Sequence, residues 1–171
     1  MILSFTILLI LIVLSGFFSG IETAFISLSE IDLIEIEKSN RKNRRILLHL
    51  LDNKEKLLST ILTCNNIVNI SASALNTILA PMYAPILGIS EGLSIILSAG
   101  VLTIVILLFS EITPKSIALY HNVELSLVFA PVISVISVLF SPITYFFDKF
   151  SKILNQIFTT KNSKKHNLSE K

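Results

Sequence analysis

Apolar segments long enough to cross a bilayer dominate this sequence of 171 residues. Hydrophobic residues make up 52% of the chain and charged residues 15%, whereas a soluble globular domain carries roughly 25% charge. A spanning helix needs about 20 apolar residues, and the apolar segments lie at about 2–27, 57–80, 93–119 and 125–147. The pattern predicts an all-α membrane protein.

The basic residues predict how these segments are oriented. No Lys or Arg precedes Lys38, and none lies between Lys56 and Lys115. Basic loops stay in the cytoplasm, so the loop at about 30–56 is expected inside, as amphipathic surface helices divided by a turn at 38–40. The N-terminus is then outside the plasma (inner) membrane and the C-terminus is cytoplasmic. The first segment lacks a basic n-region, which favours a retained span over a cleaved signal peptide.

The fourth segment is expected not to cross, because the basic tail after Asp148 should also be cytoplasmic. Pro131 and Pro142 are expected to break it into pieces too short to span. The predicted fold has three transmembrane helices, juxtamembrane helices and a re-entrant or interfacial helical hairpin at about 122–150. This domain covers residues 1–155, and residues 156–171 form a polar basic tail or linker. An ordinary four-span topology is the alternative.

Polar residues interrupt all three predicted spans. Glu111 is the most costly, because a carboxylate in a spanning helix is unfavourable by roughly 2.5–3.5 kcal/mol. Counted from the expected cytoplasmic helix ends, Ser19, Asn65 and Glu111 lie at one depth, about 12 Å from that face. Helical spacing places further polar residues on the same faces. The candidate set is Ser15, Ser19, Asn65, Asn66, Asn69, Ser110 and Glu111, with Glu22 as a candidate accessory carboxylate.

Pro114 adds a backbone group to this set. Proline has no N–H to donate to the carbonyl four residues earlier, so the Ser110 carbonyl is expected to be free beside Glu111. Unsatisfied backbone at membrane depth is tolerated where it lines a cavity, and broken helices that present carbonyls to ions recur in transporters.

Hydroxyl, amide, carbonyl and carboxylate oxygens suit hard cations such as Mg²⁺, Ca²⁺ or Na⁺. A zinc or copper site is not expected, because Cys64 is the only cysteine and the histidines lie outside the spans. Other readings remain open. The role of the serines and asparagines could be limited to hydrogen bonds between helices. Glu22 could pair with a loop arginine, and Glu111 could pair with Lys115.

Three segments carry a resemblance to a known family. Ser-Gly-Phe-Phe-Ser-Gly-Ile-Glu-Thr-Ala begins at Ser15, Leu-Leu-Ser-Thr-Ile-Leu-Thr-Cys-Asn-Asn-Ile-Val-Asn-Ile begins at Leu57, and Ser-Glu-Ile-Thr-Pro-Lys begins at Ser110. In this order they resemble the transmembrane domain of the CorC/CNNM magnesium transporters. The resemblance covers about residues 3–155.

The resemblance implies a homodimeric exporter of Mg²⁺ that depends on Na⁺. It implies a dehydrated Mg²⁺ bound by Ser15 and Ser19, by one or more of Asn65, Asn66 and Asn69, and by Glu111 with the Ser110 carbonyl. The family commonly has glycine at position 110. Its members usually continue into cytoplasmic CBS domains that bind ATP, and no such domain is expected within these 171 residues. A natural short member and a piece of a longer protein both fit the sequence.

Two functional hypotheses follow. The first is a cation transporter that carries Mg²⁺ with Na⁺ as a coupling ion, and the second is a membrane anchor or scaffold whose polar residues mediate dimerisation. An enzyme is not expected, because the spans contain no Ser/His pair, no His-Glu-x-x-His and no carboxylate dyad. The expected partners are the lipid bilayer and a second copy of the chain, with no nucleic acid.

Overall fold

The computed structural model of the chain describes residues 2–142, and every regular element in that range is helical. The α-helices are α1 (Ile2–Ile26), α2 (Glu30–Lys38), α3 (Arg44–Leu51), α4 (Lys54–Leu79), α5 (Ala84–Leu87), α6 (Glu91–Val105), α7 (Thr113–Tyr120) and α8 (Asn122–Leu139). A 3₁₀ turn, Ala80–Tyr83, joins α4 to α5, and a π-helical segment, Ile106–Ile112, joins α6 to α7. The predicted all-α fold is confirmed.

Four helical stretches are long and apolar enough to cross a membrane: Ile2–Ile26, Lys54–Leu87, Glu91–Tyr120 and Asn122–Leu139. Large apolar side chains remain on their outer surfaces. Leu9, Ile70 and Ile104, for example, are 62%, 69% and 59% exposed. Lipid can cover such a surface without cost, whereas water cannot. The chain is therefore a membrane protein.

Contacts between the long helices give their relative directions. The Phe5 and Tyr83 rings are 5.8 Å apart, so the start of α1 lies beside the segment that follows α4. Gly20, near the end of α1, packs against Pro114 at the start of α7. Hence α4 runs antiparallel to α1, and α6–α7 runs parallel to it. We call the end of the bundle where α1 ends and α4 begins the basic end, and the end at Ala80–Glu91 the opposite end.

The loop between α1 and α4 folds onto the basic end as two short helices. Ser29 and Asp32 form a reciprocal capping box that begins α2. The Ser29 hydroxyl and backbone N–H, which bond to the carboxylate, lower the pKa of Asp32 below its usual value. Helix α2 ends at Lys38, where the sequence predicts a turn. Ile36 of α2 and Leu47 of α3 are buried in the core, which fixes both helices against the bundle.

The expected break at Pro131 is wrong, because α8 runs without interruption from Asn122 to Leu139. Pro131 cannot donate to the Leu127 carbonyl four residues earlier. The side-chain amide of Asn43 donates to that carbonyl instead, at 3.0 Å. The freed acceptor is thus satisfied by a residue 84 positions away, and the helix continues through the proline.

Both ends of α8 contact the basic end of the bundle. The Asn122 amide donates to the Ser27 carbonyl at 3.0 Å, and the Lys56 ammonium donates to the Ser141 hydroxyl at 3.3 Å. Between them, the Phe129 ring packs edge-on against Phe17, with centroids 5.1 Å apart. Helix α8 therefore lies across this end, although its length alone would permit a crossing. The second arm of the predicted hairpin and the tail at 156–171 lie outside the described residues.

The contact between Asn43 and Leu127 gives a stability prediction. Asn43 has a left-handed backbone, with φ 65°. We expect Asn43→Gly to cost about 1 kcal/mol through the lost hydrogen bond. Asn43→Ala should cost roughly 1–2 kcal/mol more, because a Cβ disfavours the left-handed region. Thermal unfolding of the purified protein in detergent measures both.

The control restores the missing backbone donor. In a Pro131→Ala background the Leu127 carbonyl regains its helical partner, so Asn43→Gly should cost less than it does in the parent chain. This double-mutant cycle isolates the interaction between the two positions. Equal costs in the two backgrounds would contradict the account of how α8 passes Pro131.

Candidate cation site

The candidate site is built around a buried contact between α1 and α4. The Ser15 hydroxyl donates to the side-chain oxygen of Asn65 at 3.3 Å. Ser15 is completely buried and Asn65 is 7% exposed. These residues are 50 positions apart in sequence, and their contact brings together two of the predicted ligand groups.

Two further oxygens nearby have no partner. Ser19 Oγ and Asn69 Oδ1 are buried, and neither makes a hydrogen bond within residues 2–142. Each lies four residues from a member of the first contact, so each shares a helix face with it. Burying a polar atom without a partner is unfavourable by roughly 1–3 kcal/mol. The arrangement therefore leaves acceptor oxygens available to a water molecule or a cation. Asn66, by contrast, is exposed and does not join this group.

The predicted depth alignment is wrong by about one helical turn on α1. The sequence places Ser19 level with Asn65, whereas the structure places Ser15 there. The reason is that α4 begins at Lys54 rather than near Leu57, so Asn65 lies farther from the basic end than predicted. Ser19 lies one turn nearer that end than Ser15, at about 6 Å along the axis.

The third predicted span is not a regular α-helix where it reaches the site. Residues Ile106–Ile112 form a π-helical segment, and the N–H of Thr113 donates to the carbonyl of Leu108, five residues back. Pro114 is the second residue after this segment, in the first turn of α7. Single π turns inside α-helices are frequent at functional sites.

Ser110 is completely buried and ties this segment to α1. Its hydroxyl donates to the Ile12 carbonyl at 2.9 Å. The added hydroxyl at a position where the resembling family commonly has glycine is thus used in a helix contact. Sequence reasoning missed the Ile12 carbonyl, because a main-chain acceptor leaves no mark in the sequence.

Gly16 and Gly20 allow this close approach. A Cβ at Gly16 would lie 3.3 Å from the Phe109 carbonyl oxygen and 3.5 Å from the Cα of Ser110. A Cβ at Gly20 would lie 3.3 Å from Pro114. Gly16 and Gly20 thus admit the neighbouring helix, since small residues let backbones pack closely in membranes.

The two carboxylates of the predicted set, those of Glu22 and Glu111, are half-buried. Neither Glu111 nor Glu22 has an ion pair or a hydrogen bond among residues 2–142. The alternative of a Glu111–Lys115 ion pair is not formed among residues 2–142. No group of three His, Cys, Asp or Glu side chains that could hold a metal occurs in the described range. Any cation here must therefore rely on neutral oxygens and one or two carboxylates.

The chemistry of the donors fits a hard cation better than a soft one. The buried Ser15, Asn65, Ser19 and Asn69 atoms are all oxygens, and hard cations prefer oxygen ligands. Cys64 is next to Asn65 in the sequence, but its side chain packs in the apolar core. Hydroxyl and amide oxygens can replace part of a hydration shell, but they leave the ion's charge to be balanced by a carboxylate.

Comparison with known proteins bears on the identity of the chain. Residues 6–171 match the family model described as the cyclin M transmembrane N-terminal domain. A UPF0053 protein of Haemophilus influenzae is 36% identical over 90% of this chain and 35% of its own length. The UPF0053 inner membrane protein YfjD of Escherichia coli is 30% identical over 82% of the chain and 32% of its own length. The chain thus spans about a third of the length of these relatives.

Proposed function

The chain belongs to the cyclin M transmembrane-domain family, the CorC/CNNM family, and we propose that it exports Mg²⁺ from the cytoplasm in exchange for Na⁺. The observation that carries the proposal is the buried oxygen cluster, in which Ser15 contacts Asn65 while the Ser19 and Asn69 oxygens have no hydrogen-bond partner in the described part of the chain. Polar atoms at membrane depth are retained where they serve an ion path or an internal contact. Only part of this cluster is used in internal contacts.

Each predicted ligand takes a role in this proposal. Ser15, Ser19, Asn65 and Asn69 supply neutral oxygens, the Ser110 carbonyl supplies one from the π-helical segment, and Glu111 supplies the charge. Asn66 is exposed and joins only if α4 rotates. Mg²⁺ demands near-octahedral oxygens and dehydrates reluctantly, so the site has to replace several waters at once. Glu22 lies nearer the basic end on α1 and serves as an accessory carboxylate on the entry side.

The remaining features follow the same proposal. The basic loop lies on the cytoplasmic side of the plasma (inner) membrane. The cation therefore enters from the basic end and leaves at the opposite end. Two copies form the working unit, and exposed polar residues of α4 such as Asn66 lie in their contact. Cytoplasmic ATP-binding domains, which longer members carry, would regulate the transport.

The direct test is Mg²⁺ efflux from proteoliposomes that contain the purified chain. We expect efflux to be fast with an inward Na⁺ gradient and to fall at least about tenfold when Na⁺ is replaced by choline, because the driving ion is absent. Protein-free liposomes give the background. Efflux that equals this background, with the protein correctly inserted, would contradict the proposal.

The second candidate function is a membrane scaffold, which the Ser15–Asn65 and Ser110–Ile12 contacts favour, since both join helices. The two functions make opposite predictions for Glu111→Ala. A transporter loses Mg²⁺ binding and keeps its assembly. In a scaffold whose polar residues mediate dimerisation, Glu111→Ala weakens assembly and changes no cation response.

A further inference from the structure

A stripe of polar residues continues from the candidate site toward the opposite end of the bundle. Asn65, Asn69, Asn76 and Tyr83 follow one another at spacings of four, seven and seven residues. At about 100° per residue these positions fall within roughly 40° of one another around the helix. The stripe therefore occupies one face of α4 and its 3₁₀ extension, and at 1.5 Å per residue it covers about 27 Å.

This face is turned into the protein, not toward lipid. Asn65 and Asn76 are 7% and 9% exposed, and Ala72, which lies on the same face between them, is 1% exposed. The neighbouring positions Ile70 and Ile78 are 69% and 67% exposed. The polar stripe thus lies on the buried side of the helix, and Ile70 and Ile78 lie on the opposite side.

Helix association accounts for only part of the stripe. The Asn76 amide donates to the Ser98 hydroxyl of α6 at 3.2 Å, which is an ordinary contact between helices. Asn69 Oδ1 and Tyr83 Oη, by contrast, are buried and have no partner within the described residues. Polar atoms that only joined helices would be paired, because an unpaired one is costly in a membrane.

Space for water or an ion lies beside the stripe. A cavity of about 420 Å³ is lined by Asn76, Tyr83, Ser94 and Ser98 together with apolar residues. A smaller cavity of about 100 Å³ lies on the other side of Asn76 and includes Ser73 and Thr103. Asn76 belongs to both. A water needs only about 10–15 Å³ of such space, so both cavities can hold several.

We propose that the stripe Asn65–Asn69–Asn76–Tyr83 is the route by which a partly hydrated divalent cation leaves the candidate site for the opposite side of the membrane. This inference rests on the proposed function. The cavities beside the stripe contain hydroxyl and amide oxygens and no charged side chain. Such groups bind a cation weakly enough to release it, which conduction requires. The carboxylates remain at the other end, where the ion is first held.

The first experiment measures access to the route without requiring transport. Cysteines replace Asn76, Ser98 or Tyr83 one at a time in a Cys64→Ala background. A positively charged, membrane-impermeant thiol reagent is then added to intact cells or to inside-out vesicles. We expect labelling in intact cells, because thiols react as thiolates, which form where water reaches them. External Mg²⁺ should slow the labelling because it occupies the same route. Ile78→Cys and Ile96→Cys are matched lipid-facing controls and should stay unlabelled.

The second experiment measures flux. Tyr83→Phe removes a hydroxyl that makes no hydrogen bond to any residue in 2–142 and keeps the ring that contacts Phe5. We expect Mg²⁺ efflux to fall about tenfold, as for loss of a polar contact to a charged group, with thermal stability and Mg²⁺ binding unchanged. A purely structural hydroxyl would leave efflux unchanged.

The outcomes separate the two proposals. Labelling at Asn76→Cys and Ser98→Cys no greater than at the lipid-facing controls, or labelling from the inside only, overturns the route. Efflux unchanged by Tyr83→Phe does the same. If efflux also survives Glu111→Ala, the proposed charge role of Glu111 fails as well, and the proposed function itself fails if the parent chain shows no efflux above that of protein-free liposomes. If Glu111→Ala abolishes efflux, only the exit route is wrong.

Discussion

Glu111→Ala is expected to reduce Mg²⁺ efflux by at least about a hundredfold and to weaken Mg²⁺ binding by a similar factor. Two unit charges about 4 Å apart attract by roughly 4 kcal/mol at an effective dielectric constant of about 20. A divalent ion is attracted more strongly, and about 1.4 kcal/mol corresponds to a tenfold change in affinity. Glu111 has no ion pair in the described residues, so its removal leaves no buried cation without a partner.

The measurements are calorimetric Mg²⁺ titration and proteoliposome efflux on the same preparations. Glu111→Gln keeps an oxygen ligand and loses the charge, and should fall between the parent chain and Glu111→Ala. Glu91→Ala is the matched control, because it removes an exposed carboxylate from the first turn of α6, at the opposite end of the same helical stretch. Efflux that survives Glu111→Ala would exclude the charge role, whatever the effect on assembly.

Local sequence signals predict most of the fold. Apolar runs predict the long helices, and basic residues predict the loop that becomes α2 and α3. The turn at 38–40 is marked by Ser39 and Asn40, which favour turns over helix interiors. These signals are readable because each depends on residues close together in the sequence.

Contacts between distant residues explain where the sequence prediction failed. Pro131 carries a valid local signal for a helix break, but the bond from Asn43 to the Leu127 carbonyl satisfies the group that the proline leaves free. No local pattern could indicate a partner 84 residues away. The predicted depths of the polar residues failed for a similar reason. Helix α4 begins about one turn earlier than predicted, so Asn65 contacts Ser15 and not Ser19.

The site was predictable in its residue types and less so in its geometry. Sequence reasoning found the Ser, Asn and Glu positions because each is polar within an apolar run. It also treated Asn65, Asn66 and Asn69 alike, whereas the structure buries Asn65 and exposes Asn66. Consecutive helix positions differ by 100°, so only the direction of the neighbouring helices could distinguish them.

The close packing of α1 against the π-helical segment predicts a second large effect, for Gly16→Val. A Cβ at this position already lies 3.3 Å from the Phe109 carbonyl oxygen and 3.3 Å from the Pro114 ring. Two further methyl groups cannot fit without moving backbone, because the carbonyl cannot rotate away as a side chain would. Overpacking of this kind typically costs about 1–3 kcal/mol. The displaced segment carries both Ser110 and Glu111, so Mg²⁺ binding should weaken along with stability.

Gly100→Val is the matched control for this substitution. A Cβ at Gly100 meets nothing within 4 Å, and the residue lies inside helix α6, so the same change there adds side chain only to open surface. We expect unfolding temperature in detergent and Mg²⁺ affinity to fall for Gly16→Val and to stay close to the parent values for Gly100→Val. Gly16→Ala should give a smaller loss of the same kind, since only the Cβ must be accommodated. If Gly16→Val bound Mg²⁺ as tightly as the parent chain, the position of the π-helical segment against α1 would not control the site, and Glu111 would have to be positioned by other contacts.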